Sequence, residues 1–252
     1  MALKDDIIKN AVHYFHSLSH PQLPHPYYHR FLSWEHCYDE FGKVFSRNPT
    51  SITNADKDLL ALHLATYLAS WGMYRGSSFL LQVDYKVHVP VVEMILDTEM
   101  NSAGGTIFKY RDLFGINWSD CTHVNDNLEL IFGSRGKKGS PKQKGLSDKI
   151  SDYYDTIRIN VKGAVKSEVS RTLVTKVLMG TLGCVPAYDT YFKKGIKKAK
   201  VTSNFSQKSI SALIAFYQTN KSDFDKERTT MTTSHGNFYP EMKFLDMGFW
   251  IY

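Results

Sequence analysis

Residues 180–200 read GTLGCVPAYDTYFKKGIKKAK, a turn sequence that ends in an isolated acid and a run of cations. Asp189 stands there between Tyr188 and Tyr191, and five lysines follow it without a compensating carboxylate. Two interpretations fit this order. The segment is either a turn followed by a solvated helix that Asp189 caps, or it holds a carboxylate that works close to a polyanion.

The composition of the whole chain is that of a folded, moderately basic protein. Of its 252 residues, 42% are hydrophobic and 13% aromatic, which supplies ample material for a core. Disorder over most of the chain is therefore not expected. The net charge is +6 and the isoelectric point about 9.0, which favours an anionic partner where the cations cluster.

Apolar residues recur with a helical period along most of the chain. We therefore predict an all-α protein, a compact multi-helix domain over residues 1–252 with about ten helices. Two helical lobes with a cleft between them are one arrangement of such a domain. The period predicts helices over 5–18, 27–45, 55–73, 90–99, 123–132, 147–160, 166–179, 207–219 and 240–250.

Helix-start signals support several of these boundaries. Thr53 or Asn54 is suited to cap the third helix, and Ser206 to cap the helix over 207–219. Pro90 suits a first helical turn, where its missing N–H costs nothing. The stretch SSFLLQVDYKVHV at 77–89 has some β character and is expected as a strand or an extended connection.

Two segments concentrate positive charge. The first is a glycine-rich loop at 133–149, which we expect to be mobile and exposed, and the second follows Asp189. Closely spaced lysines on a helix repel one another, and a bound anion reduces this repulsion. Phosphate is the usual anion in such sites. The alternative is a solvated basic face. We assign phosphate contacts to Lys137 and Lys138 in the loop and to Lys193, Lys194, Lys197 and Lys198 after Asp189.

The string LASWGMYRGSSFLLQ, at 68–82, ends a long apolar helix with small residues. Small residues permit a ligand to approach the backbone, and Arg75 is suited to meet a phosphate. The alternative is a helix C-terminus and a tight turn with Trp71 in the core. Trp71 and Arg75 are kept as candidates for a base contact and a phosphate contact.

The PAYDTYF motif at 186–192 resembles the apolar-Asp-Thr-aromatic-apolar signature of helix-hairpin-helix DNA glycosylases. The upstream residues SRTLVTKVLMGTLGCV, at 170–185, look like the helix that follows the hairpin in that family. The resemblance covers about 160–195. It implies that Asp189 is the catalytic carboxylate, and Tyr188 and Tyr191 are candidates for contacts to a base outside the stack.

This chain departs from the family's pattern at two places. The hairpin has a Gly-x-Gly turn where this chain reads VKSEVS at 165–170. Members that also cleave the strand have a lysine nucleophile where this chain has Arg171, and arginine cannot form a Schiff base. The resemblance therefore implies a monofunctional enzyme, and we assign Arg171 to nucleic-acid binding.

The sequence leaves three functions open. The first is a monofunctional DNA glycosylase that hydrolyses the N-glycosidic bond of a damaged or modified base, in repair or in defence, with Asp189 stabilising the oxocarbenium-like state or positioning water. The missing Gly-x-Gly turn favours the second, a non-catalytic nucleic-acid-binding module. The third is an all-α interaction protein whose lysines only confer solubility.

Several other classes lack support in the sequence. Cys37, Cys121 and Cys184 are widely spaced and predict no disulfide framework. His13, His16 and His20 would share a helical face, but Pro21 ends that helix and no HExxH pattern is present, so we expect neither a metal nor a cofactor. No apolar run approaches the ~20 residues of a membrane span, and no signal peptide is visible. A cytoplasmic protein with DNA as its partner and no membrane contact is the expectation.

Overall fold

The computed structural model describes residues 3–17, 30, 32–134, 143–163 and 168–250, and these are mostly helical. The all-α prediction is confirmed, with eleven α-helices in the described ranges. Lys137, Lys138 and the hairpin positions 165–167 lie outside them. The helices are α1 (Leu3–Ser17), α2 (Leu32–Phe45), α3 (Asn54–Ser70), α4 (Val89–Ile95), α5 (Val124–Phe132), α6 (Leu146–Lys162), α7 (Arg171–Thr181), α8 (Thr190–Lys198), α9 (Gln207–Thr219), α10 (Lys221–Arg228) and α11 (Glu241–Trp250).

The predicted helix starts are confirmed where a side chain caps the backbone. Thr53 forms a capping box with Asp56, which satisfies amide groups at the start of α3. Ser206 accepts a hydrogen bond from the Ser209 amide at the start of α9, and Pro90 lies in the first turn of α4. Local side-chain chemistry therefore sets these boundaries.

Three predicted elements differ from the structure. The helix predicted over 90–99 ends at Ile95, and Thr98 and Glu99 belong to a strand instead. The stretch 77–89 is neither a strand nor extended, because Ser78 and Asp84 cap two short 3₁₀ helices, Phe79–Gln82 and Tyr85–His88. Helix α7 begins five residues later than predicted because Ser170 caps it. An antiparallel hairpin of β1 (Thr98–Met100) and β2 (Thr106–Phe108) was not expected from the sequence.

Helix α7 lies at the centre of the fold, and its residues from Leu173 to Thr181 are all buried. Helix α2 is fixed to it by the indole of Trp34, which donates to the Met179 carbonyl over 2.9 Å. Nearly all of the buried hydrophobic residues form one connected cluster. The division into two lobes stays a prediction.

Close packing of α8 on α11 depends on Gly195. A Cβ atom there would lie 2.2 Å from the Phe249 carbonyl oxygen, closer than any real contact. Glycine therefore lets the two backbones approach each other. This approach brings Trp250, at the end of α11, to Asp189, at the start of α8.

Among the described helices, none is both long enough and apolar enough to cross a bilayer.

The buried imidazole of His88 joins three parts of the fold. Its Nε2 and Nδ1 atoms each lie 2.6 Å from a tyrosine hydroxyl, of Tyr74 after α3 and Tyr154 in α6. Burial lowers the pKa of His88 to about 4. The unfolded chain takes up this proton near the ordinary histidine pKa of about 6.5, whereas the folded chain does not.

The free energy of unfolding should therefore fall as the pH falls from about 6.5 to 4, by up to ~3 kcal/mol from His88 alone. We expect His88→Gln to flatten this part of the stability curve, because the glutamine does not titrate. Urea unfolding of both proteins between pH 7 and pH 4 measures the difference. Parallel curves would show that other groups cause the acid sensitivity.

Candidate active site around Asp189

Asp189 is the N-cap of α8, as one of the two sequence interpretations predicted. Its Oδ1 atom accepts hydrogen bonds from the Tyr191 and Phe192 amides, both over 3.0 Å. The carboxylate also lies at the positive end of the helix dipole, which stabilises a negative charge. The cap fixes the orientation of the carboxylate.

The second carboxylate oxygen of Asp189 faces two other groups. Trp250 donates its indole N–H to Oδ2 over 3.2 Å, and the Lys176 ammonium lies 3.6 Å from the same oxygen. The Asp189 side chain keeps 17% of its surface exposed, so a small molecule can still reach it. It borders a pocket of about 670 Å³, here called the Asp189 pocket, which is lined by Trp71, Arg75, Lys176, Asp189, Tyr191 and Trp250, among other residues.

Lys176 is a pocket residue that the sequence analysis missed. It is only 3% exposed, and its ammonium lies 4.8 Å from the centre of the Trp71 ring. Burial lowers the pKa of Lys176, although the charges of Asp189 and Asp246 act in the opposite direction. One signal was available in the sequence, because Lys176 is the one charged residue in the apolar run TLVTKVLMG.

A second buried ion pair supports the chain just before Asp189. The Lys243 ammonium lies 3.2 Å from Asp246 Oδ2, and Asp246 Oδ1 accepts a hydrogen bond from the Ala187 amide over 3.1 Å. Burial raises the pKa of Asp246, which Lys243 counteracts. Asp246 thus holds the backbone two residues before Asp189.

Aromatic rings border the carboxylate. Tyr191 is 55% exposed, and its ring centre lies 5.2 Å from that of Trp250. Trp71, the C-cap of α3, meets Trp250 edge to face at 6.2 Å. Trp71 is thus both a helix cap and a pocket residue. The helix-terminus interpretation and the position needed for a ligand contact are therefore compatible.

The expected base contact of Tyr188 is not compatible with its position. Tyr188 is completely buried, and its hydroxyl lies 2.6 Å from the Ser209 hydroxyl. Its ring packs against Phe192 and Phe205 in the core rather than lining the pocket. Tyr188 precedes the cap and its hydroxyl is held by Ser209 of α9, whereas Tyr191 lies in the first turn of α8 and lines the pocket.

The expected cations divide between the pocket and the outer surface. Arg75 lines both the Asp189 pocket and a neighbouring groove of about 570 Å³, which also contains Arg158 and Lys162. Arg171 is exposed outside both, with its guanidinium 3.8 Å from Asp148. Lys194, Lys197 and Lys198 are exposed on α8 and Lys193 is half-buried.

The described lining of the Asp189 pocket brings no set of metal ligands together. One group of such residues occurs elsewhere in the described chain, on α2 and α3, and consists of His36, Glu40 and His63. The pocket therefore combines a partly exposed carboxylate, a buried ammonium, the exposed ring of Tyr191 and the half-buried rings of Trp71 and Trp250.

Comparisons of this chain with protein-family models, with curated proteins and with solved structures find no match.

Proposed function

We propose that this protein is a monofunctional DNA glycosylase-like enzyme that hydrolyses the N-glycosidic bond of a damaged or modified base. One observation carries the proposal. The carboxylate of Asp189 is fixed by a helix cap at the edge of an aromatic pocket, and exposed cations lie nearby. The pocket has the volume of an ordinary small-molecule site.

The chemistry of base release fits the residues of the Asp189 pocket. Breaking the N-glycosidic bond builds positive charge on the sugar, which a nearby carboxylate stabilises. The carboxylate oxygen that does not cap α8 is the one placed to do this or to orient the attacking water. The base must leave the helical stack first, and the rings of Trp71 and Tyr191 offer surfaces on which it can stack.

The basic residues near Asp189 support hydrolysis without strand cleavage. Arg171 lies outside the pocket and cannot form a Schiff base. Lys176 is close to Asp189, but its ammonium is buried beneath the Trp71 ring and paired with the carboxylate. We therefore assign to Lys176 an electrostatic role rather than a nucleophilic one.

Incubation of the protein with DNAs that contain normal, damaged and modified bases tests the proposal, with mass spectrometry to detect released bases. Release of one base class, leaving intact abasic strands, is the expected result. Borohydride added during the reaction should trap no covalent complex, and a trapped complex that disappears in Lys176→Gln would show a lyase. DNA binding without release of any base would contradict the enzymatic function.

A nucleic-acid-binding module without catalysis is the second candidate. Both oxygens of Asp189 already have partners, Oδ1 at the helix cap and Oδ2 at Trp250, which is also what a purely structural aspartate requires. Arg75 and the neighbouring groove would then contact the phosphate backbone. An all-α interaction protein would instead bind its partner independently of salt.

Salt dependence tests the phosphate contacts that both nucleic-acid functions share. Lys194 and Lys198 follow Tyr191 by three and seven residues, so they share its helical face. A plot of log affinity against log salt concentration has a negative slope, whose size grows by about 0.9 for each phosphate contact. We expect Lys194→Gln/Lys198→Gln, which removes two contacts, to make this slope shallower by about 2. Fluorescence anisotropy with duplex DNA between low and high salt measures the slope.

The matched control is Lys9→Gln/Lys86→Gln, which removes two exposed lysines from α1 and from the Tyr85–His88 helix. This control should leave the slope unchanged. Equal slopes for all three proteins would exclude α8 as a phosphate-binding face.

A further inference from the structure

His36, Glu40 and His63 form a cluster on the surface of α2 and α3. Each offers one ligand atom, and these atoms lie within 4.8 Å of one another. His36 Nε2 and His63 Nδ1 are only 2.9 Å apart, and their rings meet edge to face. No local sequence pattern indicates this group, because His36 and His63 are 27 residues apart on different helices.

The arrangement follows from two adjacent helices. Glu40 follows His36 by four positions on α2, so the two side chains lie on one face, about one turn apart. Helix α3 packs against α2 and supplies His63 from the other side. Two rigid helices thus hold all three side chains, which limits the entropy that a bound ion would have to remove.

We propose that His36, Glu40 and His63 bind a divalent cation of the Zn²⁺ class, with water as the fourth ligand. Two imidazoles and one carboxylate suit Zn²⁺, and a water-bearing site has three protein ligands. Tetrahedral bonds of about 2.0–2.1 Å separate two ligand nitrogens by roughly 3.3 Å. The two imidazoles therefore need to move apart only slightly, which side-chain rotation allows.

Lys43 is the competitor for this site. Its ammonium lies 2.6 Å from Glu40 Oε1 and 3.4 Å from His235 Nε2. A bound cation would coordinate the Glu40 carboxylate and repel the Lys43 ammonium. The Lys43 side chain is half-exposed and can turn toward solvent. Removal of Lys43 should therefore strengthen metal binding, which a purely structural His–His contact would not predict.

Titration of the full chain with Zn²⁺ against a chromophoric chelator tests the proposal. We expect one saturable site, a melting temperature that rises with Zn²⁺ concentration, and a loss of affinity of about 100-fold or more in His63→Gln. His123→Gln is the matched control, because His123 also has an acidic neighbour, Asp126, but belongs to no group of three ligands among the described residues. Lys43→Met should bind Zn²⁺ several-fold more tightly than the wild type.

Substitution of Co²⁺ for Zn²⁺ identifies the ligands independently of affinity. Imidazole and carboxylate ligands give visible d–d bands without the thiolate charge-transfer band that Cys121 would produce. A thiolate band would overturn the assignment. Absence of saturable Zn²⁺ binding, or equal binding by wild type and His63→Gln, would also overturn it. These outcomes do not depend on whether the protein releases bases from DNA.

Discussion

Asp189→Asn is expected to slow base release by about 10²- to 10³-fold, because the variant removes the charge that stabilises the positive sugar. Asparagine caps helices as well as aspartate does, so α8 should form normally. DNA affinity should be unchanged or slightly higher, since a negative charge near the phosphates is lost. Single-turnover rates on the DNA from which the wild type releases a base measure the effect, with binding measured in parallel.

Two variants separate catalysis from the helix cap. Asp189→Ala also loses the cap and should be less stable than Asp189→Asn by about 1 kcal/mol. Both variants remove the carboxylate next to the buried Lys176 ammonium, so both should be less stable than the wild type. Asp84→Asn is the matched control, because Asp84 caps the Tyr85–His88 helix outside the Asp189 pocket. If Asp189→Asn keeps the wild-type rate, Asp189 has only the structural role and the glycosylase mechanism is wrong.

Asp246→Asn is expected to lower the free energy of unfolding by about 3 kcal/mol, because it leaves a buried ammonium without its counter-charge. Lys243 is 3% exposed and lies among aromatic rings, 4.9 Å from the centre of Trp34 and 5.1 Å from that of Tyr14. Asparagine can still accept from the Ala187 amide. The loss is therefore electrostatic, and urea unfolding at neutral pH measures it.

A double-mutant cycle tests the electrostatic cause. Lys243→Met/Asp246→Asn should recover part of the lost stability, because the uncompensated ammonium is then absent. As a comparison, Glu93→Gln breaks the exposed pair of Lys57 and Glu93 and should cost less than ~1 kcal/mol. Strictly additive effects of the two buried substitutions would show that Lys243 and Asp246 are not coupled.

Much of the helical fold could be predicted because its signals are local. Thr53, Pro90 and Ser206 act within one turn of their own helix, and each has the expected position. The stretch 77–89 could not be predicted by the same means. Its alternating residues resemble a strand, and only the turns capped by Ser78 and Asp84 make it helical.

The candidate site was predictable only in part, for a different reason. Asp189 and Trp71 belong to conspicuous local patterns, and both line the pocket. The partners of Asp189, Lys176 and Trp250, come from α7 and α11 and have no local pattern that connects them with it. Tyr188 was misassigned because the sequence does not show which of two neighbouring tyrosines faces inward.

The dependence of Asp189 on α11 has a consequence for protein synthesis. When α7 and α8 have emerged from the ribosome, Trp250 and Asp246 on α11 have not yet been made. Domains generally fold as units, the N-terminal ones first, during synthesis. A nascent chain that lacks α11 therefore has neither the indole that meets Asp189 Oδ2 nor the carboxylate that holds Ala187. The pocket becomes complete only after α11 has been translated, so partly synthesised chains do not present the finished Asp189 pocket to a ligand.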